Sequence, residues 1–196
     1  MRNVSLEIIR FARMPIATFA VLNNLTVLII ILNSSGLKKN KSNLLIVQLA
    51  VGDLFTGIGF VIRAAADEVQ LATRTMTFDR ERCLRFASPT ILGVHFSQIT
   101  MFIIAIERLI CIKCPITFRI LSNWYSPTYL FIFSSIYAVI STSAMFLTFP
   151  GNDTVEICSG SASWARSYNF YYVISNTFIS ILICGKLIHH SESVCS

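Results

Sequence analysis

The chain has 196 residues, of which 54% are hydrophobic and only 13% charged, against about 25% charged residues in an average soluble domain. With a mean hydropathy of +0.66, an ordinary dissolved domain is excluded as a first reading, because too few polar side chains are present to cover its surface. The net charge of +6 is spread between apolar runs rather than gathered in one stripe, so the basic residues read as membrane flanks and not as a nucleic-acid footprint.

Five apolar runs have spanning length: residues 14–32, 43–62, 86–112, 129–149 and 170–188. A span needs about 20 residues. In lipid the backbone must close its own hydrogen bonds, as a helix or as a closed barrel. The runs do not alternate polar and apolar residues as barrel strands would. The expected fold class is therefore all-α: a polytopic membrane helix bundle with five transmembrane helices, forming a single transmembrane domain over 1–196.

The first run follows Met1–Arg13, which carries Arg2, Glu7, Arg10 and Arg13 and is followed by no clean small-residue cleavage site, so it reads as a signal anchor. The second run contains Asp53, a carboxylate in apolar surroundings that must be protonated or partnered. The third run is about 40 Å long at 1.5 Å per residue, so it must tilt or project from the bilayer. It carries Glu107 and Arg108 side by side. Each such charge costs roughly 2.5–3.5 kcal/mol at a helix centre, which makes both functional candidates. Cys111 and Cys114 follow as a Cys-x-x-Cys without a second cysteine pair, a poor basis for a redox or zinc role. Pro150 closes the fourth run. On the fifth, Phe170, Tyr171 and Tyr172 read as an interfacial aromatic belt, and Cys184 and Cys195 as sites for palmitoylation.

Charge alone leaves the orientation open. With the N-terminus outside, nine Arg fall in outer segments and seven Lys or Arg in inner ones, opposite to the positive-inside rule. Yet all five Lys are then inside, and six of the ten acids dilute the outer Arg. The glycosylation sequons divide, with Asn3 and Asn152 outside and Asn33 and Asn40 inside. Cys83 and Cys158 lie beyond helix ends on one predicted face. A bridge between them would make that face lumenal or extracellular; two unrelated thiols are the alternative.

Several spacings agree on one family. Asn23-Asn24-Leu25-Thr26-Val27 is similar to the first-helix Gly-Asn-x-x-Val motif of rhodopsin-like G-protein-coupled receptors. Leu49-Ala50-Val51-Gly52-Asp53-Leu54 is similar to their second-helix Leu-Ala-x-x-Asp-Leu, and Glu107-Arg108-Leu109 stands for Asp-Arg-Tyr, 25 positions after Cys83. Ile112 and Pro115 fall at the expected offsets, and Cys158 matches the partner cysteine of the second extracellular loop. The run from Val51 to Arg63 resembles the nematode serpentine chemoreceptors of the srsx or srx class.

The resemblance implies roles. Asp53 would hold a sodium ion with Ser97, beside Asn24; hard cations take oxygen ligands, so the donor set is chemically sensible. The other reading of Asp53 is a neutral carboxyl hydrogen-bonded between helices. Arg108 would pair with Glu107 at rest and later meet a heterotrimeric G protein; the other reading is a structural ion pair. A disulfide would join Cys83 to Cys158. Thr90 stands where amine receptors carry an Asp, which disfavours an amine ligand. Thr90, Gly93 and Val94 are candidates to line an extracellular pocket for a small molecule or peptide, with small-residue helix packing as the competing reading. His95 is expected to bond a neighbouring helix.

The pattern also departs from the family. The fourth-helix tryptophan is absent from Ser134–Ala138, and the fifth-helix proline from Asn169–Ile188. After Ile188 the sequence closes as His189–Ser196, without a sixth or seventh run. The expectation is thus a chemosensory receptor in truncated form, at the plasma membrane or a sensory cilium when full length and in the endoplasmic reticulum when short. The alternatives are a small multi-pass scaffold or transporter, although the chain lacks the internal repeats transporters show, and a non-signalling partner that dimerises with full-length receptor. An enzyme is not expected, since no Ser-His-Asp arrangement or Gly-rich phosphate loop is present, and no cofactor beyond sodium is implied. The other partner is the lipid bilayer.

Overall fold

Five long helices account for most of the computed structural model, which describes residues 4–73, 78–116, 118–119, 126–148, 154–155 and 164–194, with side chains described over 12–69, 79–116, 118–119, 126–148, 154 and 164–183. They are α1 (Val4–Asn33), α2 (Lys41–Thr73), α3 (Arg80–Lys113), α4 (Pro127–Leu147) and α5 (Arg166–Val194). A one-turn helix, Ser35–Lys38, links α1 to α2. The chain is an all-α helix bundle. Its described β structure is one two-residue antiparallel pair, β1 (Phe78–Asp79) on β2 (Thr154–Val155), in the register Phe78 to Val155 and Asp79 to Thr154.

Among the described residues, four segments are long and apolar enough to cross a membrane: Ala12–Asn33, Lys41–Val69, Arg80–Lys113 and Pro127–Leu147. The helices overrun the apolar runs at several ends. α1 takes in the charged turn that begins the chain, and α3 starts at Arg80 rather than at 86. Backbone helicity does not stop where hydropathy falls; it stops where a cap or a breaker stands.

Local chemistry sets these ends. Asp79 caps α3, its carboxylate accepting from the Glu81 N–H at 3.2 Å, and Glu81 pairs with Arg85 one turn on. Pro89 inside α3 has no N–H to give the Arg85 carbonyl; the Ser88 hydroxyl donates to that carbonyl instead, at 2.8 Å. At the far end the Cys114 N–H closes on the Ile110 carbonyl at 2.9 Å, and Pro115 follows. α4 starts on an Asx-like serine cap, with Ser126 Oγ accepting from the Thr128 N–H at 3.3 Å and Pro127 in the first turn, where its missing N–H costs nothing.

α3 is central. It packs on α2, α4 and α5, while α1 packs on α2. The α2–α3 seam is close because it is built on glycine: a methyl group at Gly93 would overlap the Gly52 carbonyl and the Thr56 hydroxyl, and one at Gly59 would overlap Thr90. Association in lipid relies on such close packing and on polar contacts, since apolar tails compete with apolar side chains. The polar counterpart is Gln48, only 2% exposed. Its Nε2 donates to Ser134 Oγ on α4 at 2.8 Å and to Thr100 Oγ1 on α3 at 3.0 Å. Large apolar side chains meanwhile point outward, among them Phe133, Ile136 and Ile140 on α4. A bundle with polar groups inside and apolar groups outside suits lipid as its solvent.

Candidate functional site

Three of the expected groups converge at mid-bundle. Ser97 Oγ, buried on α3, donates to Asp53 Oδ1 on α2 at 2.7 Å. Asn24 on α1 donates from Nδ2 to the Ala20 carbonyl at 3.0 Å, which leaves its oxygen as an acceptor. Asn24 and Asp53 both line a cavity of about 600 Å³ between α1 and α2, together with Thr56 and Phe60 and, nearer the helix start, Arg13. Carboxylate, hydroxyl and amide oxygens thus collect around one space.

Glu107 and Arg108, adjacent on α3, differ in exposure. Successive residues lie about 100° apart around the axis. Glu107 turns inward, 9% exposed, and its Oε1 accepts from Ser42 Oγ of α2 at 2.9 Å. Arg108 is exposed at the same end of the bundle. The Ser42 contact was not legible in the sequence, because nothing in the spacing of two residues on different helices reveals their register.

The pocket candidates divide. Thr90 and Gly93 both sit in the α2–α3 seam, Thr90 against Gly59 and Gly93 against Gly52 and Thr56. Val94 is half-buried beside them. Gly93 is thereby accounted for by close helix packing, whereas Thr90 keeps a buried hydroxyl oxygen with no hydrogen-bond partner.

Cys83 is disulfide-bonded and fully buried. Cys158, its expected partner, lies outside the described residues, as do Pro150 and Cys195 and the side chains of Cys184, His189 and His190. Cys111 and Cys114 are free thiols, and no group of three or more metal-binding side chains occurs among the described residues.

Around His95 the structure brings together an aromatic cluster that the belt reading missed. His95, fully buried on α3, meets the Tyr168 hydroxyl of α5 at 3.2 Å through Nε2, which fulfils the expectation of an interhelical bond. Its ring also packs edge-on to Tyr137 and Tyr172, at centroid distances of 5.9 Å and 5.7 Å. Tyr172 in turn lies 4.8 Å from Trp164. The Tyr171 and Ser141 hydroxyls meet at 3.0 Å. Of the three belt candidates only Phe170 is strongly exposed, at 70%. The signal was present: Trp164, Tyr168, Tyr171 and Tyr172 recur at i, i+4, i+7 and i+8, a helical stripe that begins just before α5 and of which Trp164 and Tyr168 are buried. Below this cluster Gln98 of α3 bonds Asn176 of α5, and Asn176 Nδ2 donates to the Tyr172 carbonyl at 2.6 Å.

At the other edge, Arg13 of α1 and Asp67 of α2 form an ion pair at 2.8 Å. One turn before Asp67, Arg63 is 8% exposed, with its guanidinium carbon 5.2 Å from the centroid of the Phe60 ring.

No curated protein matches the chain. The model of the serpentine type 7TM GPCR chemoreceptor Srsx family matches residues 17–188. That stretch takes in the Asn24, Asp53, Glu107 and Arg108 motifs and runs through all five helices. The bundle of membrane-length helices, the polar groups at its centre and this match lead to one statement: the chain belongs to the Srsx family of serpentine seven-transmembrane G-protein-coupled chemoreceptors.

Proposed function

We propose that the chain senses an extracellular chemical and passes the signal to a heterotrimeric G protein through Arg108. The observation that carries the reading is the family match over residues 17–188. The local geometry supports it. Glu107 is held inward by Ser42, while the adjacent guanidinium is exposed at the end of α3. An exposed arginine at a helix end is free to dock on a partner, and its planar donors suit carboxylate and carbonyl acceptors there.

Sodium fits the mid-bundle group. The Asp53 carboxylate and the Asn24 side chain, with its amide oxygen, line one cavity, and the Ser97 hydroxyl bonds Asp53; all three are hard donors, and a carboxylate in that setting needs a counter-charge or a proton. Bound there, a sodium ion would supply positive charge without a proton. Asp53 would hold it by charge, and Ser97 and Asn24 would help fix its place. We assign the disulfide of Cys83 to Cys158, which makes that end of α3 extracellular and the Arg108 end cytoplasmic. The plasma membrane, including that of a sensory cilium, is the compartment this orientation serves.

The test is nucleotide exchange on a G protein in membranes that carry the receptor expressed from its full transcript. Arg108→Ala is expected to abolish exchange while leaving the amount of receptor in the membrane unchanged. Unchanged exchange at equal receptor level would overturn the role given to Arg108.

A further inference from the structure

We propose that α1 is a homodimer interface, in which the Asn23 side chain bonds its counterpart in a second copy of the chain within the membrane. The inference rests on α1 crossing the bilayer and is independent of the role given to Arg108.

The apolar run of α1, residues 14–32, holds four polar side chains and no charged one. Three of the four return a hydrogen bond to their own helix. Thr18 Oγ1 donates to the Met14 carbonyl at 2.9 Å, Asn24 Nδ2 to that of Ala20 at 3.0 Å and Thr26 Oγ1 to that of Leu22 at 2.8 Å. Asn23 is the fourth. It is exposed, and its side chain has no hydrogen-bond partner among the described residues. It stands at the middle of the membrane-length segment Ala12–Asn33. Lipid tails offer an amide neither donor nor acceptor, so leaving it bare there is costly. The outer face of α4 differs: Phe133, Ile136 and Ile140 are apolar, and lipid satisfies them.

The neighbours of Asn23 favour a second copy as its cover. Ile16, Phe19, Asn23, Thr26 and Ile30 follow one another at spacings of three, four, three and four, and all five are exposed. That is the a/d seam of a coiled coil, with Ile16, Asn23 and Ile30 at a positions. A lone asparagine at one a position specifies register and oligomer state. α2 leaves this seam free. It packs on α1 where Gly57 meets Ala17 and Val21, which lie about 120° and 160° around the helix from Asn23 at 100° per residue. A carboxamide is donor and acceptor at once, so it complements itself. Two copies of one membrane protein enter the bilayer in the same sense, and their α1 helices run parallel. A twofold axis along the membrane normal then sets each Asn23 against the other, and the amides exchange hydrogen bonds. Phe19 and Ile30 pack across the seam on either side.

The experiment places the whole chain, carrying a donor or an acceptor fluorophore at its C-terminus, in phosphatidylcholine vesicles and follows energy transfer as lipid dilutes the protein. Transfer above that of randomly placed monomers is expected, falling with dilution as a monomer–dimer equilibrium requires. Asn23→Leu keeps the volume of the seam and removes the amide. It should weaken association roughly fivefold or more, the effect of a hydrogen bond between membrane helices. Asn23→Gln should recover part of the loss, because the amide remains. Phe19→Ala should also weaken association, and Leu25→Ala, on an exposed face of α1 away from the seam, should leave it unchanged. Each variant changes an outward side chain, and circular dichroism checks that helix content is kept. A native chain that is monomeric at every dilution would overturn the proposal, and would mean that lipid or another helix covers Asn23. Undiminished association in Asn23→Leu, or an equal loss in Leu25→Ala, would overturn it as well.

Discussion

Asp53 and Gln48 carry the two polar contacts that matter most at mid-bundle, and they make different predictions. Asp53 carries a carboxyl group, is bonded by Ser97, and is open to a cavity shared with Asn24. If sodium binds there, the unfolding midpoint of the chain should rise with sodium concentration and not with choline, by about 1.4 kcal/mol of stability at ten times the dissociation constant. Asp53→Asn should erase that dependence; a midpoint indifferent to sodium in the native chain would remove the ion from the account. Gln48 is neutral and fully engaged, tying α2 to α3 and α4. A double-mutant cycle between Gln48→Ala and Ser134→Ala, read by equilibrium unfolding in detergent, should give a coupling of about 0.6–1.7 kcal/mol, the range for interhelical hydrogen bonds in membranes. Zero coupling would mean that the contact does not hold α4 in place. Both residues stand out in the sequence as lone polar side chains in apolar runs. The family motif includes Asp53 but not Gln48, whose partner Ser134 falls in the segment where the family's tryptophan is missing.

The elements were legible to the extent that hydropathy controls them. Lengths and order of the apolar cores of α2, α3 and α4 follow directly from the runs. The helix starts did not, because Arg80–Arg85 reads as a charged loop while Asp79 caps it and Glu81 pairs with Arg85 within the first turns. Register between helices was out of reach for the same reason that Ser42 and Glu107 could not be paired in advance: a periodic pattern fixes a face, and it leaves the sliding of one helix along another undetermined. Glycine is what settles it for α2 and α3. Gly93→Val should cost about 1–3 kcal/mol, the usual range for forcing extra carbon into a packed contact, because Gly52 and Thr56 leave no room. Gly36→Val, where nothing lies within 4 Å, should stay within about 0.5 kcal/mol of the native chain, as surface substitutions do. Equilibrium unfolding of the two variants side by side checks the pair, and equal losses would mean that the α2–α3 seam is looser than described.

At the scale of the whole molecule, the bundle has two chemically distinct ends. One gathers the disulfide-bonded Cys83, the β1–β2 pair and the Trp164 and tyrosine cluster; the other gathers Ser42, Glu107, Arg108 and the free thiol of Cys114. α3 joins them over 34 residues, about 50 Å at helical rise, enough to cross the membrane with residues to spare. Charge counting could not say which end is cytoplasmic, since arginine and lysine distribute in opposite senses. The receptor account requires the Arg108 end to face the cytoplasm, or no G protein could reach it. Cys114, exposed six residues beyond Arg108, makes this directly measurable. In sealed microsomes, whose outer surface is the cytoplasmic one, a membrane-impermeant maleimide is applied to a variant that keeps Cys114 as its sole free thiol, and in parallel to one in which Asp79→Cys replaces it. The account predicts immediate labelling of Cys114 and labelling of the Asp79→Cys thiol only after detergent. The reverse pattern would place Arg108 in the lumen and contradict a receptor that signals through it.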